Sequence, residues 1–278
     1  MRVLVTGAAG TIGSVLCGGL VDRSHTVAGL DLTPEPEGFT GDWFTVDSTD
    51  PDAVDAVFAA LSRSGGVDAV VHLAGMPGEG SLPDELESHV VTLAAVLDAM
   101  VKYDVNRIVY AGSNHAVGRT PHGDTLLDTA ARPRPDTFYG VAKVAAEALL
   151  SLYVDRYGLD AVSTRIGSFQ VEPESRRQLS TWLSHDDAVR MFEAALTAPD
   201  PGYSVIYGVS ANTRGWWDLE PGRALGYHPR DDAEHFADRV PADPERDAAE
   251  DAHVGGSFAG AQFHRPALDS PLASPVED

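Results

Sequence analysis

Short apolar, β-branched runs alternate with amphipathic stretches over the first two thirds of the chain. "RVLVTG" (2–7) and "HTVAGLD" (25–31) bracket "TIGSVLCGGLVDR", in which Ile12, Leu16 and Leu20 fall at helical spacing. This is a strand, a helix and a strand. The alternation continues with strands at 42–47, 68–75, 107–113 and 160–167, and helices at about 51–62, 83–103 and 137–157. Runs such as "AVVHLAG" are apolar without alternation, as strands are when helices cover both faces. The pattern predicts an α/β fold: a Rossmann-type, doubly wound parallel sheet.

After residue 168 the pattern changes. "HDDAVRMFEAALTA" reads as an amphipathic helix and "YSVIYGVS" as a late strand returning to the core. Trp216 and Trp217 sit among turn residues and read as core or interface packing. The last fifty residues are rich in Pro, Asp and Ala with weak periodicity. They predict a partly irregular tail lying on its own body or on a neighbouring subunit.

Composition narrows the possibilities. With 278 residues the chain can bury a sizeable core as one large domain or two small ones. No apolar run approaches the roughly 20 residues of a membrane helix, so no membrane partner is expected. The N-terminus runs directly into a strand without a leader-like pattern, and we read the protein as cytoplasmic. Acidic residues number 42 against 20 basic, a formal charge of −22 that argues against nucleic acid as a partner. A solvated acidic surface explains it, whether for ordinary solubility or for a salt-rich cytoplasm. Asp186 and Asp187 are read as part of that surface, because no glycosidase or metal-site spacing surrounds them. The lone Cys17 excludes an intramolecular disulfide and reads as a small buried residue on the first helix.

Chemistry enters with "TGAAGTIG" (6–13), which sets Gly7, Gly10 and Gly13 between the first strand and first helix, with Ala9, Thr11 and Ile12 among them. Such glycines allow a tight turn and close approach of a pyrophosphate, while the helix N-terminus supplies unpaired N–H groups. Asp31 ends the second strand at the distance where a carboxylate accepts the ribose hydroxyls and repels a 2′-phosphate. NAD is therefore expected over NADP. Asp47 and Ser48 after the third strand, Leu73, Ala74 and Gly75 after the fourth, and Ile166 on the sixth lie at strand C-terminal ends, where this fold binds its ligands. On spacing alone, plain loop positions explain Asp47 and Leu73 to Gly75 nearly as well.

"FYGVAK" (138–143) carries Lys143, one of only two lysines in the chain. Tyr139 and Lys143, at i and i+4, share a helix face. A phenol with a pKa of about 10 serves as a base only beside a positive charge, which a compact ammonium supplies better than a guanidinium fork. Lys143 can also hold the nicotinamide ribose. Ser113, at the end of the fifth strand in "YAGSNHAVG", stands where the reacting oxygen would be held. The order of glycine loop, acidic residue, Ser113 and Tyr139-x-x-x-Lys143 resembles the extended short-chain dehydrogenase/reductase superfamily over residues 1–170.

Three further strings narrow the resemblance. "SNHAVG" (113–118), "RIGS" (165–168) with "RRQLSTWLS" (176–184), and "YGVSANTRGWWD" (207–218) resemble uronate dehydrogenases, which use NAD to oxidise the C1 hemiacetal of galacturonate or glucuronate to an aldarolactone. The resemblance thins over the last forty residues. It implies that Ser113, Asn114, His115, Ser168 and Arg177 hold the sugar acid, with Arg177 on its carboxylate, while Tyr139 acts as the base. No metal is required. It further implies a homo-oligomer, a dimer or larger, paired through the helices at 83–103 and 137–157. Two positions depart from the pattern: His89 replaces an asparagine, and Pro77 stands where a substrate-contacting serine is expected.

The expected organisation is a core at 1–168 that binds NAD and carries Ser113, Tyr139 and Lys143. Residues 169–278 would form a small C-terminal substrate-binding cap, the late strand and the tail. The alternatives are an NAD-dependent glucose-6-phosphate dehydrogenase and a nucleotide-sugar epimerase, although epimerases usually have a longer C-terminal part. A non-catalytic NAD-sensing regulator is the remaining alternative, and retention of Ser113, Tyr139 and Lys143 argues against it.

Overall fold

The computed structural model describes residues 1–123 and 125–260; the end of the expected tail, 261–278, lies outside the described residues. Seven parallel strands form one sheet in the order β3-β2-β1-β4-β5-β6-β9. They are β1 (Arg2–Thr6), β2 (Thr26–Asp31), β3 (Asp42–Thr45), β4 (Ala69–His72), β5 (Arg107–Ser113), β6 (Asp160–Ile166) and β9 (Tyr203–Gly208). A second, two-stranded sheet pairs β7 (Ser168–Phe169) with β8 (Trp182–Leu183). Strand order reverses between β1 and β4, which opens a crevice at the strands' C-terminal ends.

Side chains of β1 alternate between two cores: Val3 and Val5 pack on one face, Leu4 on the other. The first face is covered by α1 (Thr11–Asp22) and α7 (His185–Thr197), the second by α2 (Pro51–Arg63), α4 (Thr92–Lys102) and α5 (Phe138–Tyr157). The helix after residue 184 is thus part of the sheet's own cover. It approaches α1 at Gly19, where an added Cβ would lie 2.6 Å from the Val189 side chain.

Helix ends follow local chemistry. The Asp50 side chain accepts from the Asp52 and Ala53 amides ahead of Pro51 to start α2. Thr137 accepts from the Gly140 amide to start α5, which ends at Gly158 in the left-handed conformation.

Two features differ from the sequence-based expectation. The helix expected at 83–103 is three pieces: α3 (Leu82–Leu86), a π-helical turn at Glu87–Val91, and α4. A π turn adds one residue and shifts the phase of the apolar pattern between the two pieces, which a single-helix reading of 83–103 does not register. Asp187 is fully buried, not solvated; it accepts from the backbone amides of Arg230 and Asp231 and pairs with Arg190. The weakly periodic segment holds a helix, α9 (Pro244–Asp251), followed by a strap at 252–260 lying on its own body. The strap is tied down by Val254 N–H to Thr120 O, Gly255 N–H to Gly118 O, and Arg119 Nη1 to Ala259 O. Among the described residues no helix is long and apolar enough to cross a membrane.

Candidate active site

At the sheet's C-terminal edge the glycine loop turns from β1 into α1. Gly7 has φ 68°, and a Cβ there would meet the Ala74 amide nitrogen at 2.8 Å. At Gly13 a Cβ would lie 2.2 Å from Gly7 O, so the helix packs directly under the loop. Two cavities flank this turn. One, of about 560 Å³, is lined by Gly7, Gly10, Asp31, Asp47, Ser48, Leu73, Ala74 and Gly75, all expected cofactor residues. The other, of about 370 Å³, is lined by Thr11, Ile12 and Ile166 with Ser113, His115, Tyr139 and Lys143. Leu73, Gly75 and Met76 belong to both, so the two cavities meet across the fourth-strand loop.

The residues fit NAD. The loop leaves backbone room for a pyrophosphate at the start of α1, and Asp31 stands where ribose hydroxyls would lie. Ala9 and Gly13 do not line the cavities. The Ala9 amide donates to Asp31 Oδ2 at 2.9 Å and orients the carboxylate, while Gly13 supports the loop from below.

Tyr139 and Lys143 lie on the first turns of α5, opposite the end of β5. Lys143 is buried, donates to Ala111 O at 2.8 Å, and sits 5.2 Å from the Tyr139 ring centroid. Burial pushes the Lys143 ammonium down to about 7, partly offset by the carboxylates of Glu85 and Glu147. Burial pushes the Tyr139 phenol up to about 12, opposed by a hydrogen bond with Ser113. The unloaded site therefore holds a neutral phenol, and a further positive charge is needed to make it a base near neutral pH.

His115 lies two residues after Ser113 in a short 3₁₀ turn, Asn114–Val117, and its amide donates to Ser113 Oγ at 3.2 Å. Its Nδ1 meets the buried Asp136 carboxylate at 2.8 Å. That contact directs the Nδ1 proton to Asp136 and leaves Nε2 to meet a hydroxyl. The ring also packs edge-on against Tyr139 and against Phe258 of the strap, with centroids 5.8 and 4.8 Å away.

Among the expected sugar-holding residues, Pro77, Ser113, His115 and Tyr139 line the cavity. Asn114 is buried behind Ser113, at 3.5 Å from its hydroxyl. Ser168 bonds Thr181 at 2.9 Å and is not on the wall. Arg177 is also off the wall: its Nη2 donates to Val254 O at 2.6 Å, and the strap's Gly256 lies against its Nε. Wall residues that sequence reasoning missed include Met76, Phe169 and Phe258. Nothing in their local pattern marks them, since a loop and a weakly periodic tail carry two of the three. His89 also reaches the wall, singled out by sequence only as a departure.

A latch lies at the cavity mouth. The Phe138 and Tyr139 amides, the free donors at the start of α5, both donate to the Glu79 carboxylate at 3.0 Å. This ties the 76–80 loop, with Pro77, to the helix that carries the base.

Residues 3–184 match the NAD dependent epimerase/dehydratase family. The chain is 39% identical over 259 residues to the uronate dehydrogenase of Pseudomonas syringae pv. tomato, covering 92% of each. It is 35% identical to the NAD-dependent glucose-6-phosphate dehydrogenase of Haloferax volcanii, over 84% of this chain and 95% of that one. A solved mutant uronate dehydrogenase of Agrobacterium tumefaciens, in complex with NAD, superposes with a TM-score of 0.83 at 36% identity, over 93% of this chain and 96% of that one.

Proposed function

The chain belongs to the NAD dependent epimerase/dehydratase family, and from that premise we propose that it is an NAD-dependent uronate dehydrogenase, oxidising C1 of glucuronate or galacturonate to the aldarolactone. The observation that carries this reading is the closure of Ser113, Tyr139 and Lys143 on one cavity joined to the Asp31 pocket, in a chain alike along its length to uronate dehydrogenases.

Bound NAD supplies the hydride acceptor. Ser113 donates to the C1 oxygen and holds it toward Tyr139. Tyr139 takes the hydroxyl proton as the C1–H bond breaks and the carbonyl forms. Lys143 lowers the cost of the phenolate and holds the nicotinamide ribose. The oxidised cofactor would supply the positive charge that the unloaded phenol lacks. His115, oriented by Asp136, accepts a ring hydroxyl at Nε2, while Phe169 and Phe258 cover the sugar's C–H faces. Asn114 acts from behind Ser113, and Ser168 supports the wall beside Phe169. Arg177 meets the substrate carboxylate once that carboxylate takes the place of Val254 O. The segment after residue 168 thereby serves as the substrate cap.

The protein acts in the cytoplasm and as a homo-oligomer. Val101 on α4 and Phe138, Val141 and Leu152 on α5 are exposed apolar side chains on the two helices expected to pair subunits.

The test is NADH formation with glucuronate, galacturonate, glucose 6-phosphate and glucose in parallel. Turnover on the uronates is expected. Turnover on glucose 6-phosphate alone would overturn the substrate and keep the chemistry. Tyr139→Phe should lower kcat by about 10²–10⁴ with NAD affinity unchanged; an active variant would remove Tyr139 as base.

A further inference from the structure

The π turn at Glu87–Val91 does more than interrupt a helix. It brings His89 to the cavity wall, with its ring edge-on to Tyr139 at 5.2 Å between centroids, and Glu85 sits just before it. Glu85 is fully buried, and neither of its oxygens makes a hydrogen bond of full geometry. His89 Nε2 lies 3.4 Å from Glu85 Oε2 but 2.9 Å from Met76 O, which takes its proton. Burial and the nearby Lys143 push His89 down to about 3, so this imidazole is neutral and offers Glu85 no charge.

A buried carboxylate without a partner is costly, and so is a buried ammonium. Lys143 has two carboxylates in electrostatic reach, Glu85 and Glu147. Glu147 is already held by Arg165, with contacts of 2.9 and 2.8 Å to its two oxygens. Glu85 is the uncommitted one. Burial pushes the Glu85 carboxyl upward, and Glu79 and Asp84 add to that, while the Gly80 amide and Lys143 favour its charged form. Facing Lys143 and Tyr139 from the remaining elements are His72, Tyr110 and Asp136. His72 is held neutral by burial, Tyr110 is a buried phenol, and Asp136 is bound to His115.

We propose that Glu85 is the buried counter-charge of Lys143, a positioning residue that keeps the ammonium in place when the cationic cofactor ring arrives beside it. The idea rests on the reaction assigned above and deepens it. A second cation next to Lys143 favours loss of the lysine proton, which would leave Tyr139 without its stabilising charge; the Glu85 carboxylate offsets that repulsion. Replacing it with an amide leaves the site one charge more positive. Both protons of the coupled Tyr139 and Lys143 pair then come off at lower pH.

The chain's two lysines make this directly measurable. With ¹³Cε-lysine labelling the protein gives two side-chain signals, one from exposed Lys102, paired with Asp55, and one from Lys143. A Lys143→Met variant assigns them. In Glu85→Gln, the Lys143 midpoint should fall by about one pH unit or more, with and without NAD, while Lys102 stays put. The kcat profile for glucuronate should move to lower pH on both limbs. Glu85→Asp should restore most of the midpoint in a folded protein, and it supplies the test if the amide variant fails to fold: its midpoint then lies slightly below that of the parent. A Lys143 midpoint unchanged in Glu85→Gln overturns the proposal, as does one that falls in Glu85→Asp as far as loss of the whole charge would move it. Movement of the midpoint without turnover of any hexuronate would sink the assigned reaction and leave the counter-charge standing. Hexuronate oxidation with an unmoved midpoint would do the reverse.

Discussion

Arg177 shows how far a residue's role depends on what lies above it. The resemblance sets its guanidinium fork on the substrate carboxylate, yet the fork is satisfied by the Val254 carbonyl and pressed by Gly256, about 77 residues along the chain. Arg177→Ala removes a charged contact worth about 1.5–3 kcal/mol, so KM for uronates should rise about ten- to a hundredfold with KM for NAD unmoved. Steady-state kinetics check this, and an unchanged uronate KM would place the carboxylate elsewhere. Tyr139, Lys143 and Ser113 were legible because a helix period and a strand end suffice to bring them together. The surroundings of Arg177, and Phe258 itself, were not, because they come from a strap with no periodic signal. Asp187 misread for a related reason: its partners are backbone amides at 230 and 231, which no side-chain pattern announces.

Among the elements, strands and helices followed the alternation closely, since each buries a face whose period is written in its own residues. The π turn escaped because the apolar rhythm on either side of it is intact, yet that turn carries His89 to the wall. The loop between β4 and α3 is tied to α5 through Glu79, which accepts from the first turn of that helix. Cutting that tie with Glu79→Ala loses about 1 kcal/mol of latching. KM for the sugar acid should then rise about fivefold while the thermal midpoint barely changes. Equal KM values would mean that the loop holds its place without the tie.

Across the whole molecule, a net charge of −22 loads the surface with repulsion that salt screens, while the interior holds several groups in unusual protonation states. Burial pushes His72, like His89, down to about 3, far below an unfolded histidine. Between about pH 6.5 and 3 the unfolded chain binds protons that the folded one refuses, so this stability is complete above about 6.5 and drains as pH falls. Each histidine contributes at most about 1.4 kcal/mol per pH unit to that slope. Denaturation midpoints from pH 6.5 to 5 should fall less steeply in His72→Gln than in the parent, and parallel slopes would show that other groups set the acid limit. The same interior keeps the single thiol, Cys17, wedged in the core beneath α1, with burial pushing it up to about 12. A maleimide dye offered at neutral pH therefore finds no native attachment point. A cysteine placed at exposed Ser257, next to Phe258, would carry the only fluorophore on the protein and report in real time whether the strap lifts as a sugar enters.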